Sequence, residues 1–155
     1  MRIVCLLLAL SVGSACSKKV EPVNEKAVEH AAMILHKMDK ALGSHNYTEF
    51  LKMHADTFHF KFCENTGTTS QDLEKLFKTD QFLSQTVKSK HTIRPSGTGL
   101  AFTKVTINQY KFAYEEHLLL KNTDVYRSEG VINFLDLGTH VQIISAEEKC
   151  PVKIF

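Results

Sequence analysis

From Val28 onward, Ala31, Ala32, Leu35, Met38 and Leu42 recur at three- and four-residue spacing, while Glu29, Lys37 and Lys40 fall off that stripe. This is the period of an amphipathic helix. Pro22 suits its first turn and Gly43 its end. Asn46 followed by Glu49 has the form of a capping box, so Tyr47, Phe50, Leu51 and Met53 predict a second, shorter helix reaching about Ala55. Phe58, Phe60 and Phe62 then alternate with His59, Lys61 and Cys63, a period of two that only a strand turns into one apolar face. Thr66, Gly67, Thr68, Thr69 and Ser70 form a turn. Thr69 with Asp72 caps a third helix carrying Leu73, Leu76 and Phe77, and residues 79–87 are expected to continue as another short helix.

Beyond Arg94, Pro95, Ser96 and Gly97 the pattern changes to strands. Phe102, Val105, Ile107, Tyr110, Phe112 and Tyr114 lie in a β-rich stretch that His117 to Leu120 extends. Val131 to Leu135 and His140 to Ser145 flank Asp136, Leu137, Gly138 and Thr139, which gives a terminal hairpin. Helix, helix, strand, helix and then a run of strands is an α+β plan with helices on one face of an antiparallel sheet.

The composition adds little to this picture. Of 155 residues, 43% are hydrophobic and 23% charged, as in ordinary globular chains. A balance of 19 Lys and Arg against 17 Asp and Glu is too even for a nucleic-acid binder or a polybasic membrane binder.

The N-terminus carries an address. Arg2, the apolar run from Ile3 to Val12, and Gly13, Ser14, Ala15, Cys16 and Ser17 have the order of a secretory signal. Residues 1–17 are therefore expected to be a signal peptide and residues 18–155 a single secreted, extracellular domain. The run is too short to span a bilayer, so no membrane attachment is expected after cleavage. Cys16 also raises a lipoprotein reading, but Gly13 stands three residues before it, where a large aliphatic is wanted. Cleavage after Cys16 or Ser17 leaves Cys63 and Cys150, and an even pair in an exported chain suggests one disulfide, with two independent buried thiols as the alternative. Cleavage after Ala15 would leave Cys16 as an odd thiol. Asn46, Tyr47 and Thr48 form the one glycosylation sequon, at what reads as an interhelical turn.

The stretch from Ala32 to Phe82, above all the joint Leu51, Lys52, Met53, His54, Ala55, Asp56, Thr57, Phe58 running into the Phe strand, resembles the nuclear transport factor 2-like superfamily. The terminal hairpin is similar to that superfamily's closing strands. Cys63 and Cys150 occupy the places where small secreted invertebrate members keep a cysteine after the first strand and another after the last. The resemblance implies a cone-shaped, curved, mixed but mostly antiparallel sheet packed on the N-terminal helices, with an apolar cavity between helix and sheet. It also implies a homodimer formed through the sheet's outer face.

Relatives in the ketosteroid isomerase and polyketide cyclase groups place an acidic base near the end of the first strand, where desolvation raises its pKa. Matching Ala55, Asp56 and Thr57 to their joint puts Phe62 at that position, and Phe cannot take a proton. Dehydratase-like members use His and Asp in the cavity, for which His54, Asp56 and His59 are the nearest polar residues. On a strand His59 points away from Phe58 and Phe60, and these histidines read as polar surface. Their spacing is not a recognised metal pattern, and no metal or cofactor is expected. No serine elbow, phosphate loop or paired-cysteine zinc spacing occurs in the sequence. Phe58, Phe60 and Phe62 either line a cavity or form ordinary core. The expectation is a non-catalytic binding domain for a small apolar molecule or a protein. A cavity enzyme of isomerase or dehydratase type and a structural extracellular interaction module are the alternatives.

Overall fold

The computed structural model describes residues 24–96 and 99–155. The expected signal peptide, Cys16 and Pro22 lie outside the described residues. In chain order the elements are α1 (Glu25–Ser44), α2 (Thr48–Leu51), β1 (His54–Phe62), β2 (Asn65–Gly67), α3 (Ser70–Thr79), a 3-10 turn (Leu83–Gln85), β3 (Thr86–Ile93), β4 (Pro95–Ser96), β5 (Gly99–Leu100), β6 (Phe102–Lys104), β7 (Gln109–Leu120), β8 (Val125–Asp136), β9 (Val141–Glu148) and β10 (Val152–Lys153). The main sheet runs β2-β1-β9-β8-β7-β3, with β6 added on β7 and β10 on β8, and β4 and β5 pair separately. Its neighbours are antiparallel except β1 and β9, which are parallel. The sheet is therefore mixed, mostly antiparallel and curved, and helices cover one face.

Each helix forms for a local reason. The Asn24 side chain accepts from the Lys26 amide and starts α1, whose stripe of Ala27, Ala31, Ile34, Leu35, Met38, Ala41 and Leu42 is buried against the sheet, chiefly along β3. The helix passes through Gly43 and ends one residue later, with His45 left-handed at φ 54°. Thr69 and Asp72 form a reciprocal capping box on α3, which buries Leu73 and Phe77 against β1. Residues 46–49 form no such box: Asn46 accepts from the Thr48 amide at 3.3 Å, and Glu49 pairs instead with Lys52 at 2.7 Å.

Three expectations need correction, the first being the turn at Thr66 and Gly67, which pair with Lys61 and Phe60 as the short strand β2. The second helix stops at Leu51, and the first strand already begins at His54, because Met53 and His54 are drawn into the ladder beside Ile143. A bulge between His54 and His59 turns both Asp56 and Thr57 outward before Phe58 and Phe60 resume the inward phase. Residues 79–87 are not one helix: after the turn at Leu83–Gln85, Thr86 opens β3. The closing hairpin joins β8 to β9 as expected, with Gly138 at φ +84° in its turn.

Cys63 and Cys150 are joined across 87 residues of chain. Closing a loop of that length removes about 4.6 kcal/mol of denatured-state entropy in the chain-entropy model. Denaturant unfolding of Cys63→Ser/Cys150→Ser should show a stability loss of about 2–5 kcal/mol, and unchanged stability would contradict a structural role for the bridge.

Candidate functional site

Sheet register decides which polar groups meet beneath α1. His91 of β3 pairs with Glu116 of β7, and Glu116 pairs with Ser128 of β8. Two residues along, Tyr114 pairs with Gly130, Gly130 with Glu148 of β9, and Glu148 with Phe62 of β1. Residues two apart on a strand share a face, so these two rows lie side by side on the helix-covered face.

Asp39 reaches the rows from α1. Its Oδ1 lies 2.6 Å from His91 Nδ1 and accepts from the Ser89 hydroxyl at 2.7 Å, while Oδ2 accepts the His91 amide at 3.2 Å. A carboxylate can only accept, so Nδ1 carries a hydrogen. On the ring's other side, Nε2 lies 2.9 Å from Glu116 Oε1, but that oxygen is off the nitrogen's bonding axis and no hydrogen bond forms. Ser128 donates to Glu116 Oε2 at 2.9 Å, and the Tyr114 hydroxyl donates to Glu148 Oε2 at 2.6 Å. The His91 side chain is 0% exposed and that of Glu116 2%.

Burial and mutual charge set the protonation of this cluster. Burial opposes an imidazolium at His91, but the charge of Glu116 and the hydrogen bond His91 donates to Asp39 outweigh it and push the ring up to about 10. At Glu148, burial first and then the nearby Glu116 charge push the carboxyl up to about 8. Burial, reinforced by Glu148, raises the Tyr114 phenol well above its ordinary value. Burial pulls Asp39 upward, yet its bonds to His91 hold it below the usual carboxylate value. Glu148 is thus the carboxyl of the cluster that burial and Glu116 favour to hold a proton.

In front of the cluster lies a cavity of about 300 Å³ between α1, α3 and the sheet. Met38, Leu42, Phe62, Phe77, Phe82 and Tyr126 supply most of its apolar wall, and Glu116 and Glu148 enter it from the sheet. Such a space can hold a small molecule and present an acid and a carboxylate to it. A larger groove of about 490 Å³ crosses the outer face, where Glu129 pairs with Arg94 at 2.9 Å and with Lys149 at 3.0 Å.

The residues singled out from the sequence are dispersed. Phe58 and Phe60 are core, at 0% and 4% exposure, and Phe62 alone of the three lines the cavity. Asp56 and His59 are exposed. His54 is not polar surface: its Nδ1 donates to the carbonyls of Phe50 and Leu51 at 3.1 and 3.2 Å, and its ring packs between Phe50 and Phe58. Burial pulls its pKa down to about 4 despite those carbonyls. Asn46 is exposed between α1 and α2. Cys63 borders the cavity beside its bonded partner's neighbour, Pro151.

Asp39, His91, Tyr114, Glu116 and Glu148 escaped the sequence reading, although one signal was available. Tyr110, Phe112, Tyr114, Glu116, Leu118 and Leu120 keep a strict period of two, so Glu116 falls in phase with buried apolar residues. An acid in that phase is a buried acid. The carboxyl sought near the end of β1 comes instead from the neighbouring strand, where Glu148 stands opposite Phe62.

Comparison with solved structures gives the architecture a name. A protein of unknown function from Shewanella oneidensis, described as NTF-2 like, superposes with TM-score 0.63 at 9% identity, over 79% of this chain and 98% of the other. The fold is nuclear transport factor 2-like. A domain with a cystatin-like fold from Nostoc punctiforme (TM-score 0.62, 11% identity, 80% and 75% covered) and a hexachlorocyclohexane dehydrochlorinase from Novosphingobium barchaimii (0.63, 5%, 84% and 91%) share it. A scan of protein-family models and a search of curated proteins each find no match. At these identities the nuclear transport factor 2-like likeness carries architecture and no activity.

Two predictions follow the geometry. A Cβ on Gly130 would collide with the Tyr114 ring, which crosses that position to reach Glu148. Gly130→Ala should cost about 1–3 kcal/mol in denaturant unfolding, and no loss would show that the ring has another resting place. His54 is neutral in the fold but takes a proton when unfolded below its ordinary 6.5, so the folded state should lose stability as pH falls from 6.5 to about 4. His54→Asn should flatten that decline, and parallel stability curves for the two proteins would contradict the assignment.

Proposed function

We propose that this protein is an exported binding domain whose cavity takes a small, mainly apolar molecule and receives a hydrogen-bond donor on it with Glu116 and Glu148. The observation that carries this reading is a largely apolar space of about 300 Å³ walled on its sheet side by two carboxyl groups. Its size is at the lower end of small-molecule sites, about 300–1,000 Å³. Apolar walls supply most of the binding energy, and the carboxyls select among apolar ligands by rejecting those that leave them unmatched.

Export is supported by the apolar leader and by the Cys63–Cys150 bridge, which an oxidising compartment maintains. No helix among the described residues is long and apolar enough to cross a membrane. The exposure of Asn46 supports a glycan at that position in the exported chain.

A second reading, proton-transfer catalysis, is favoured by one feature: Glu148 keeps its proton beside Glu116 in a cavity that could hold a substrate. The two readings separate by experiment. N-phenyl-1-naphthylamine, a neutral aryl amine, should bind with enhanced fluorescence, and Leu83→Trp, which fills part of the cavity, should weaken it by about tenfold or more, equivalent to about 1.4 kcal/mol. Binding indifferent to that substitution, or no binding at all, would overturn the ligand-binding reading. Deuterium uptake beside the carbonyl of a small aryl ketone, abolished by Glu148→Gln, is the outcome that would favour catalysis.

A further inference from the structure

We propose that His91, Glu116 and Glu148 bind one divalent transition-metal ion at the sheet-side wall of the cavity, with Asp39 as the residue that orients the histidine. One ligand atom from each of the three lies within 4.8 Å of the others. Small side-chain rotations would bring all three to the distances of about 2.0–2.2 Å at which nitrogen and carboxylate oxygen hold zinc.

Clustered acids alone would not make a site. The second observation is the His91 ring itself, which is fully buried and whose Nε2, 2.9 Å from Glu116 Oε1, makes no hydrogen bond. Buried polar atoms are nearly always satisfied, and leaving one unmet is costly. Asp39 occupies Nδ1 at 2.6 Å, so Nε2 is the nitrogen turned toward the two glutamates, and an incoming ion takes the place of the proton it carries. That is the carboxylate–histidine arrangement that supports a metal from behind. The carboxylates are supported in the same way: Ser128 holds Oε2 of Glu116 and leaves Oε1 toward His91, and Tyr114 holds Oε2 of Glu148.

The donor set selects the class of ion. One imidazole nitrogen and two carboxylate oxygens suit zinc and its divalent first-row neighbours better than calcium, which takes oxygen ligands. Two carboxylates also balance a divalent charge where unbalanced charge is expensive. Loading releases to water whatever protons the three ligands hold at their coordinating atoms. Glu116 and Glu148 line the cavity, so the remaining coordination position opens toward it and would accept an oxygen or nitrogen from a bound molecule.

This inference stands apart from the apolar-ligand reading, since its test uses the metal alone. Chelator-washed, untagged, disulfide-intact protein is titrated with Zn²⁺ while the imidazole nitrogens are followed by NMR. The His91 Nε2 resonance should shift and saturate at one equivalent. Glu148→Gln should weaken binding by about tenfold or more, and Asp39→Asn should weaken it by a similar factor while preserving the single-equivalent endpoint. Co²⁺ in place of Zn²⁺ should give visible absorption that Glu148→Gln removes. A His91 ring unmoved at one equivalent, or equal Zn²⁺ affinity in folded Glu148→Gln, would overturn the site. Should that variant fail to fold, the His91 titration in the parent protein decides alone. A Zn²⁺ result of either sign leaves the naphthylamine result to be judged separately.

Discussion

Charged groups placed under an apolar roof must answer one another, because water is not there to do it. In this protein the rule binds the first helix to the sheet. Asp39 comes down from α1, His91 comes up from β3, and Glu116 and Glu148 approach from β7 and β9. Removing one member would leave its partners uncompensated, a loss of about 3–5 kcal/mol for buried pairs in general. The arrangement therefore fixes the height and rotation of the helix over the sheet as firmly as the Ala27 to Leu42 stripe does. It also fixes the back wall of the cavity, so the same groups that hold the layers together give the interior its chemistry.

The apolar skeleton was legible in the sequence because periodicity reports burial. The α1 stripe, the Thr69–Asp72 box and the alternating phenylalanines each depend on neighbours within a few residues, and each forms where the pattern puts it. The longest strand the pattern left unmarked was β3. Its inward positions include Thr86, Ser89 and His91 and its outward ones Lys88 and Lys90, so little apolar alternation marks it. A strand that faces a polar cluster cannot advertise itself by hydrophobicity. The cluster was hidden for the related reason that Asp39, His91, Glu116 and Glu148 are distant in sequence and are assembled by cross-strand register and by the seating of α1 on the sheet. His54 misled in the opposite direction: a polar residue at a helix end looks exposed until its carbonyl partners and flanking rings are placed.

The nuclear transport factor 2-like fold explains why architecture and chemistry have to be argued separately. A dehydrochlorinase and proteins of unknown function lie on the same framework at identities of 5 to 11%. What the framework provides is a concave face under a helix, and what each chain does depends on which side chains its rows project there. Here Gly130 is as informative as any charged residue, since its bare backbone is what lets the Tyr114 ring cross β8 and engage Glu148.

The place of β9 bears on how the molecule is made. It lies between β1 and β8, parallel to the former, although it follows β1 by more than half of the chain. Until Val141–Glu148 has left the ribosome, the first strand has no partner on that side, and its phenylalanines wait beside an empty berth. Assembly from the N-terminus during synthesis can prepare the helices and the β7–β8 ribbon, but the sheet is a pair of halves until the last long strand is threaded between them. An open edge on the first strand until the chain is nearly complete is thus written into the strand order.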